Sequence, residues 1–539
     1  MSQFEIPSRN LCQLLIEAQA RFPRRAACWS QRGSLNYEQL LQEVPALAGL
    51  LQSWGVQPGD RVFLLLPNWP QFLIGCLAIW WVGAVPALSS PLIPPAMLIE
   101  QLRKARPRVV ICSNRLEPEL AASIRGLGVE QILLTSGREY LRSQVGWLFR
   151  RSPSRAPMPG GVHRWRASLR EALPSAAMVE VGGEHPAALL FSGGTTGIPK
   201  GVVLSHRALW ANTLQLEAWD SDLQPGKERL LAALPLAHAY GLTGVLLLGM
   251  RSGATLILSS SLQPDHLAEL ASRLRPSLFP GTPALYAALL NLPNLRSYRF
   301  DSIRLCASGS AALPFEVQEG FERVTRARVI EGYGLTEAGP VTHAGLLKGE
   351  RRSGSVGLVL AQTEAEILDL ESGLAQPPGE IGELVVRGPQ LMTGYWEEPE
   401  ATAACLRNGW LHTGDLGVRD EDGFYYILGR LTDCCELAGK VVYPRRIEEA
   451  IHLHPAIQEV AVLGWPGGFP RSRHGLGLVN SLHAFVVPRP GKSVSAEELA
   501  SYVSARLPEE LRPGLWTVLP QLPRTPFGKV SRLSLYGAL

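Results

Sequence analysis

The sequence predicts an α/β protein: a large N-terminal body of sheet subdomains, residues 1–430, followed by a small α+β domain, residues 431–539. Three observations point there. Apolar segments alternate with amphipathic ones over roughly the first quarter of the chain, the rhythm of strand–helix units around a mostly parallel sheet. The same rhythm returns from Ala187 to Ser259, after an interval rich in arginine, proline and glycine. Beyond Arg430 enough chain remains to build a separate core.

Taken in order, Arg61–Leu66 reads as a strand, Gln71–Trp81 as a helix and Val109–Cys112 as a strand. The longest apolar run, Phe72–Leu88, contains Gly75, Gly83 and Pro86 and is short for a membrane span, so a buried helix followed by a strand is expected. Residues 138–185 carry Arg138, Arg142, Arg150, Arg151, Arg155, Arg164, Arg166 and Arg170. A solvated surface excursion is the expectation there, with a basic membrane-facing patch around Trp147-Leu148-Phe149 as the alternative. Ala187–Phe191 and Val202–Leu204 read as strands, and Ser205 as the N-cap of a helix starting near His206. Gly354–Arg387 is β-rich, with Pro-Pro-Gly separating Glu366–Leu368 from Glu383–Val386.

Composition narrows the function. A net charge of +4 is too small to suggest a nucleic-acid partner. The eight cysteines form no Cys-x-x-Cys pair, which argues against a zinc site or a disulfide framework. Met1–Glu5 lacks the start of a signal peptide, so a cytoplasmic location is expected. Arginine supplies nearly all of the 52 basic residues; lysine occurs only at 104, 200, 227, 348, 440, 492 and 529. Lys200 and Lys529 both fall inside motifs, where a compact ammonium does what a planar guanidinium cannot.

The stretch Ser192-Gly193-Gly194-Thr195-Thr196-Gly197-Ile198-Pro199-Lys200-Gly201 concentrates phosphate-binding groups between two apolar runs. Glycines let backbone N–H groups close on phosphate oxygens, hydroxyls add donors and Lys200 adds charge. Lys200 lies between Pro199 and Gly201 rather than before Ser or Thr, so the loop is not a Walker A. It resembles the AMP-binding signature of the adenylate-forming superfamily, which includes acyl-CoA synthetases, firefly luciferase and peptide-synthetase adenylation domains. The resemblance implies that Ser192–Gly197 cradle a nucleotide, with Thr196 and Lys200 catalytic and Thr196 beside a metal.

Further motifs follow in the same order. Glu331-Gly332-Tyr333-Gly334-Leu335-Thr336-Glu337 resembles the second nucleotide motif, which implies adenine stacking on Tyr333, a donor from Thr336 and Mg²⁺ held by Glu337. Ser308–Leu313 resembles the segment that lines the adenine, with Ser310 and Ala311 at its centre. The family commonly has Gly-Ala-Pro there. Asp415, in Trp410-Leu411-His412-Thr413-Gly414-Asp415, matches the aspartate that holds both ribose hydroxyls, and Arg430 a second ribose or phosphate contact. Leu522-Pro523-Arg524-Thr525-Pro526-Phe527-Gly528-Lys529 matches the motif bearing the adenylation lysine, carried by a mobile C-terminal domain.

The implied activity is ATP- and Mg²⁺-dependent activation of a carboxylic acid as acyl-AMP, then transfer to the thiol of CoA. Segments around His238 and Tyr240 and around Gly281 and Thr282 resemble those lining the acyl pocket of fatty-acid members, which favours a medium- or long-chain acid. Alternatives are an acyl-AMP ligase serving a phosphopantetheine carrier protein or other acceptor, and a nucleotide-binding protein without turnover. Three departures bear on the second half-reaction. The hinge position is Thr432 where the family has Asp or Lys, Arg446 stands where Glu is usual, and Gly464–His483 lacks the usual acidic turn. Gly439 would lie in the thiol tunnel.

Overall fold

The computed structural model describes residues 4–30, 33–114, 123–140, 160–192, 199–438, 440–465, 477–524 and 530–536. The contacts divide the chain into two compact units. The first runs to Ser192, resumes after the glycine loop as far as Glu364 and adds Arg387–Leu406; the second contains Ala365–Val386 and the chain from Arg407 onward.

In the first unit the strand–helix alternation builds two sheets. Arg61–Leu65, Val85–Ser89, Val109–Ser113, Gln131–Thr135 and Val162–Arg164 run parallel, and Pro186–Ser192 joins them beside Val85–Ser89 before turning back antiparallel into Lys200–Ser205. The helix Pro70–Trp81 is buried along its whole length, which explains why its run is apolar all round rather than amphipathic. As expected, Ser205 caps the helix His206–Trp219 by accepting from Ala208 N–H at 3.1 Å. The other sheet places Arg229–Ala232, Leu278–Gly281, Leu305–Ser308 and Arg328–Gly334 side by side in parallel. Its core lies against Phe279, Cys306, Val329 and Phe321, all almost wholly buried.

Within 138–185 the described residues depart from the expected solvated excursion over 162–171, whereas residues 172–185 form no helix or strand and are mostly exposed or half-buried. Val162–Arg164 is a sheet strand, and the helix Trp165–Glu171 begins with a fully buried Trp165. Glu43 is the reason. It accepts from Tyr140 Oη at 2.8 Å and pairs with Arg166 at 2.9 Å, while the Arg166 guanidinium lies 4.1 Å from the centre of the Tyr140 ring. Trp147-Leu148-Phe149 lies outside the described residues.

In the second unit Gly382–Arg387 and Tyr425–Arg430 flank Trp410–Arg419 in antiparallel register. Further on, Ile457–Trp465, Ser481–Pro488 and Leu515–Val518 form a sheet covered by the helices Pro444–His452 and Ala496–Ser504. Ile447, Ile451, Val462, Val486 and Leu499 close its core.

One buried polar residue ties the two sheets of the first unit. Asn68, which follows Arg61–Leu65, donates through Nδ2 to the carbonyls of Ala232 and Leu234 at 2.9 and 2.8 Å and accepts from Leu236 N–H at 2.9 Å. It thereby fixes the segment leading to His238. Asn68→Ala removes the partner of Leu234 O and of Leu236 N–H, while Ala232 O still accepts from Ser259 N–H; it should lower unfolding free energy by roughly 2–4 kcal/mol, read as a drop in urea midpoint.

Candidate active site

The parallel register of the first unit brings three sequence motifs into one row. Gly281 pairs with Ser308 and Ser308 with Glu331, at the C-terminal ends of adjacent strands, where α/β sheets place their ligands. Gly309 N–H closes the row by donating to Gly281 O at 3.1 Å. Ser310 and Ala311 follow on the surface, with Ser310 in the left-handed region at φ 73°. Gly332 and Gly334 flank Tyr333, whose ring meets His343 edge-on at 5.8 Å. His343 is fully buried, and burial brings its pKa down to about 3, so Tyr333 rests on a neutral imidazole.

The acyl-pocket candidates sit at the same sheet end. His238 Nδ1 accepts from Tyr240 N–H at 3.3 Å and so caps the turn that carries Tyr240. Tyr240 and Tyr286 both donate to Ala307 O, at 2.8 and 3.1 Å. A Cβ on Gly281 would come within 2.8 Å of the Tyr286 ring, so close packing accounts for this glycine. Thr282 caps the helix Pro283–Leu290, its hydroxyl accepting from Leu285 N–H at 3.3 Å.

Ser192 and Lys200 face each other across the hairpin that the glycine loop connects. Lys200 Nζ lies 4.6 Å from the centre of the Tyr395 ring, and Tyr395 Oη donates to Glu337 Oε1 at 2.9 Å. Burial, then the Glu337 carboxylate, push the Tyr395 phenol far above its ordinary pKa, so it remains a donor. Thr336 opens the short 3₁₀ turn Thr336–Ala338 that carries Glu337, and Glu337 O accepts from Met392 N–H at 2.8 Å. Tyr395 was missed from sequence; its signal was the apolar Gly394-Tyr395-Trp396 after a turn, which only long-range pairing with Val202 and Val203 makes meaningful.

In the second unit Asp415 pairs across the strands with Arg430, Oδ1 to Nε at 2.8 Å, and Arg430 Nη1 donates to Thr413 O at 3.0 Å. Gly414 takes φ +67°, which a side chain would strain, and its N–H donates to Glu383 Oε1 at 3.1 Å. Glu383 also holds His412 Nδ1 at 2.8 Å and, like Tyr395, was not singled out from sequence. Thr432 is exposed in the 3₁₀ turn Leu431–Asp433. Beside it, Asp433 pairs with Arg532 at 3.1 Å, and Arg532 also pairs with Glu448 at 2.8 Å. Arg446 lies 5.9 Å from the centre of the Tyr443 ring. Gly193, Gly194, Thr195, Thr196, Gly197, Gly439, Lys529 and most of the departure at 464–483 lie outside the described residues.

The sequence profile of AMP-binding enzymes matches residues 15–396, most of the chain, and that of the AMP-binding enzyme C-terminal domain matches residues 446–529. The chain belongs to the AMP-binding enzyme family. Among AMP-binding enzymes it is 37% identical to a long-chain-fatty-acid–CoA ligase of Bacillus subtilis, over 99% of this chain and 95% of that protein. It is 31% identical to 4-coumarate–CoA ligase 3 of Arabidopsis thaliana, over 92% of this chain and 84% of that one. Solved structures agree. The anthranilate CoA ligase AuaEII in complex with anthranoyl-AMP superposes with a TM-score of 0.86 at 25% identity, covering 99% of this chain and 98% of that one. ATP-bound MatB from Rhodopseudomonas palustris gives 0.84 at 27% identity, with 98% of each chain covered.

Two outcomes follow for this AMP-binding enzyme. Tyr395→Phe removes the donor to Glu337 but keeps the ring under Lys200; it should raise the Mg²⁺ concentration needed for half-maximal ATP–pyrophosphate exchange by roughly tenfold, the worth of a hydrogen bond to a charged group. Asp415→Ala should weaken ATP binding by about 1–3 kcal/mol in a direct titration, through the loss of a charged acceptor for ribose hydroxyls. Unchanged ATP affinity would mean that another carboxylate holds the ribose.

Proposed function

We propose that this chain activates a medium- or long-chain fatty acid with ATP as acyl-AMP and transfers the acyl group to CoA. The observation that carries the reading is the row Gly281–Ser308–Glu331, which joins acyl-pocket and nucleotide motifs at one sheet end in a chain of this family. The fatty-acid preference is supported by the apolar segments around His238 and Gly281, and by a relative named for long-chain fatty acids that aligns over nearly the whole chain. The proposed division of labour is a body, residues 1–430, and a mobile domain, residues 431–539, acting in the cytoplasm. Among the described residues no helix is long and apolar enough to cross a membrane.

In the first half-reaction an oxygen of the acid attacks the α-phosphorus of ATP and pyrophosphate leaves. Tyr333 and the Ser310–Ala311 turn receive the adenine, Asp415 and Arg430 the ribose, and Thr196, Lys200 and Ser192–Gly197 the phosphates. Lys529 bridges carboxylate and phosphate as charge concentrates between them. A donor set of one carboxylate, Glu337, oriented by Tyr395, and the Thr196 hydroxyl fits a cation held mainly by phosphate oxygens. When bound there, Mg²⁺ supplies charge neutralisation. In the second half-reaction the CoA thiol attacks the acyl carbon and expels AMP, after the domain turns about Thr432 and brings Gly439 to the pantetheine.

ATP–pyrophosphate exchange across acids from acetate to palmitate, with amino and aryl acids alongside, tests the assignment. At subsaturating acid the rate should rise with chain length, each buried methylene adding about 0.8 kcal/mol until the pocket is full. A maximum at acetate, an amino acid or an aryl acid overturns it. Lys529→Ala should slow acyl-AMP formation by on the order of 10²-fold while sparing thiol transfer from supplied acyl-AMP. Equal loss in both half-reactions would remove the specific role of Lys529.

A further inference from the structure

Along the same sheet, beside the strands Ala26–Ser30, Thr255–Leu258 and Arg229–Ala232, lies a cavity of about 730 Å³, lined by Arg25, Arg229, Arg273, Trp29, Ile257 and Leu274. Arg25 precedes the strand Ala26–Ser30 and Arg229 begins the strand Arg229–Ala232, so both guanidiniums sit at N-terminal strand ends. The row Gly281–Ser308–Glu331 sits at the C-terminal ends.

None of the three arginines pairs with a carboxylate among the described residues. Arg25 Nη2 donates to Glu228 O at 3.0 Å and Arg229 Nη1 to Leu274 O at 2.9 Å, both uncharged carbonyls. Arg25 Nε is buried without a partner. Three acidic side chains nearby have another arginine as partner. Glu228 and Asp220 are held by Arg304, at 2.8 and 2.6 Å, and Asp301 by Arg275 at 2.5 Å. Burial, and the Arg229 charge beside it, pull the Arg25 pKa down against the opposing pull of Tyr37 and Glu228.

Three guanidiniums line a concave space without a carboxylate among the described residues paired to any of them; the Glu228 carboxylate, shared with Arg304, offsets their charge only in part, and an anion in the cavity would complete it. Guanidinium forks match phosphate oxygens two at a time. The volume falls in the range of about 300–1,000 Å³ usual for small-molecule sites, so it admits more than a bare phosphate. Trp29 offers a flat face, and Ile257 and Leu274 an apolar wall. We propose that this cavity is a second ligand site, separate from the adenylate-forming one, that takes a soluble organic phosphate of the nucleotide class.

The probe is ADP, with binding stoichiometry read by equilibrium dialysis of the full chain. Wild type should bind two equivalents, and Arg273→Glu, a charge reversal at an exposed side chain, only one, with ATP–pyrophosphate exchange within about twofold of wild type because the active site is untouched. Asp415→Ala should keep the Arg273-dependent equivalent. Arg273→Lys, which keeps the charge, should retain ADP with affinity reduced by less than about tenfold. A single equivalent in wild type, or a second that ignores Arg273→Glu, overturns the proposal. So does Arg273-dependent sedimentation with phosphatidylglycerol vesicles in a chain that binds one ADP, because the phosphate recognised would then be a lipid headgroup.

Discussion

Parallel pairing of Leu278–Gly281, Leu305–Ser308 and Arg328–Gly334 is the constraint on which the site depends. Phe279, Cys306 and Val329 form a buried row in register across these strands. Two residues further along, on the same face, the next row is Gly281, Ser308 and Glu331. A slip of one residue would carry Phe279 and Cys306 out of the core, so hydrophobic burial holds the polar row in place. The chemistry at the sheet end is therefore positioned by packing at the sheet centre. Asn68 extends the constraint to the neighbouring sheet and to the segment of His238 and Tyr240.

A second theme is that the candidate carboxylates Glu337 and Asp415 are each held by a partner supplied from elsewhere in their own unit. Tyr395 donates to Glu337, and Arg430 pairs with Asp415. Asp433, next to the hinge candidate Thr432, is pushed up by burial and held down by Arg532 and Arg430. Such partners orient an anion before its ligand arrives, which lowers the ordering cost at binding.

Much of this was legible in the sequence. Period and turn chemistry placed Arg61–Leu65, Pro70–Trp81, Pro186–Ser192 and the Ser205 cap, because these features are local. Motif order along the chain pointed to the family. Tyr395 and Glu383 were illegible for one reason: their partners lie 58 and 29 residues away, and no local pattern encodes such pairing. The strand Val162–Arg164 was hidden by an arginine-rich composition that suggests solvent, whereas Glu43 and Tyr140 give Arg166 a docked place. Of the three arginines around Trp29, Arg25 comes from a segment far from Arg229 and Arg273 in the sequence, and only the sheet order assembles them.

In the proposed reaction a carboxylate attacks the α-phosphorus of ATP at the sheet end. Turnover of a fatty acid labelled with ¹⁸O in its carboxylate, followed by mass spectrometry of the products, tests it most directly. One labelled oxygen should appear in AMP and none in pyrophosphate, because the acid oxygen that bonds to phosphorus leaves with AMP when the thiol attacks. Label in inorganic phosphate with ADP as co-product would place the attack at the γ-phosphorus, and AMP free of label would exclude an acyl-AMP intermediate.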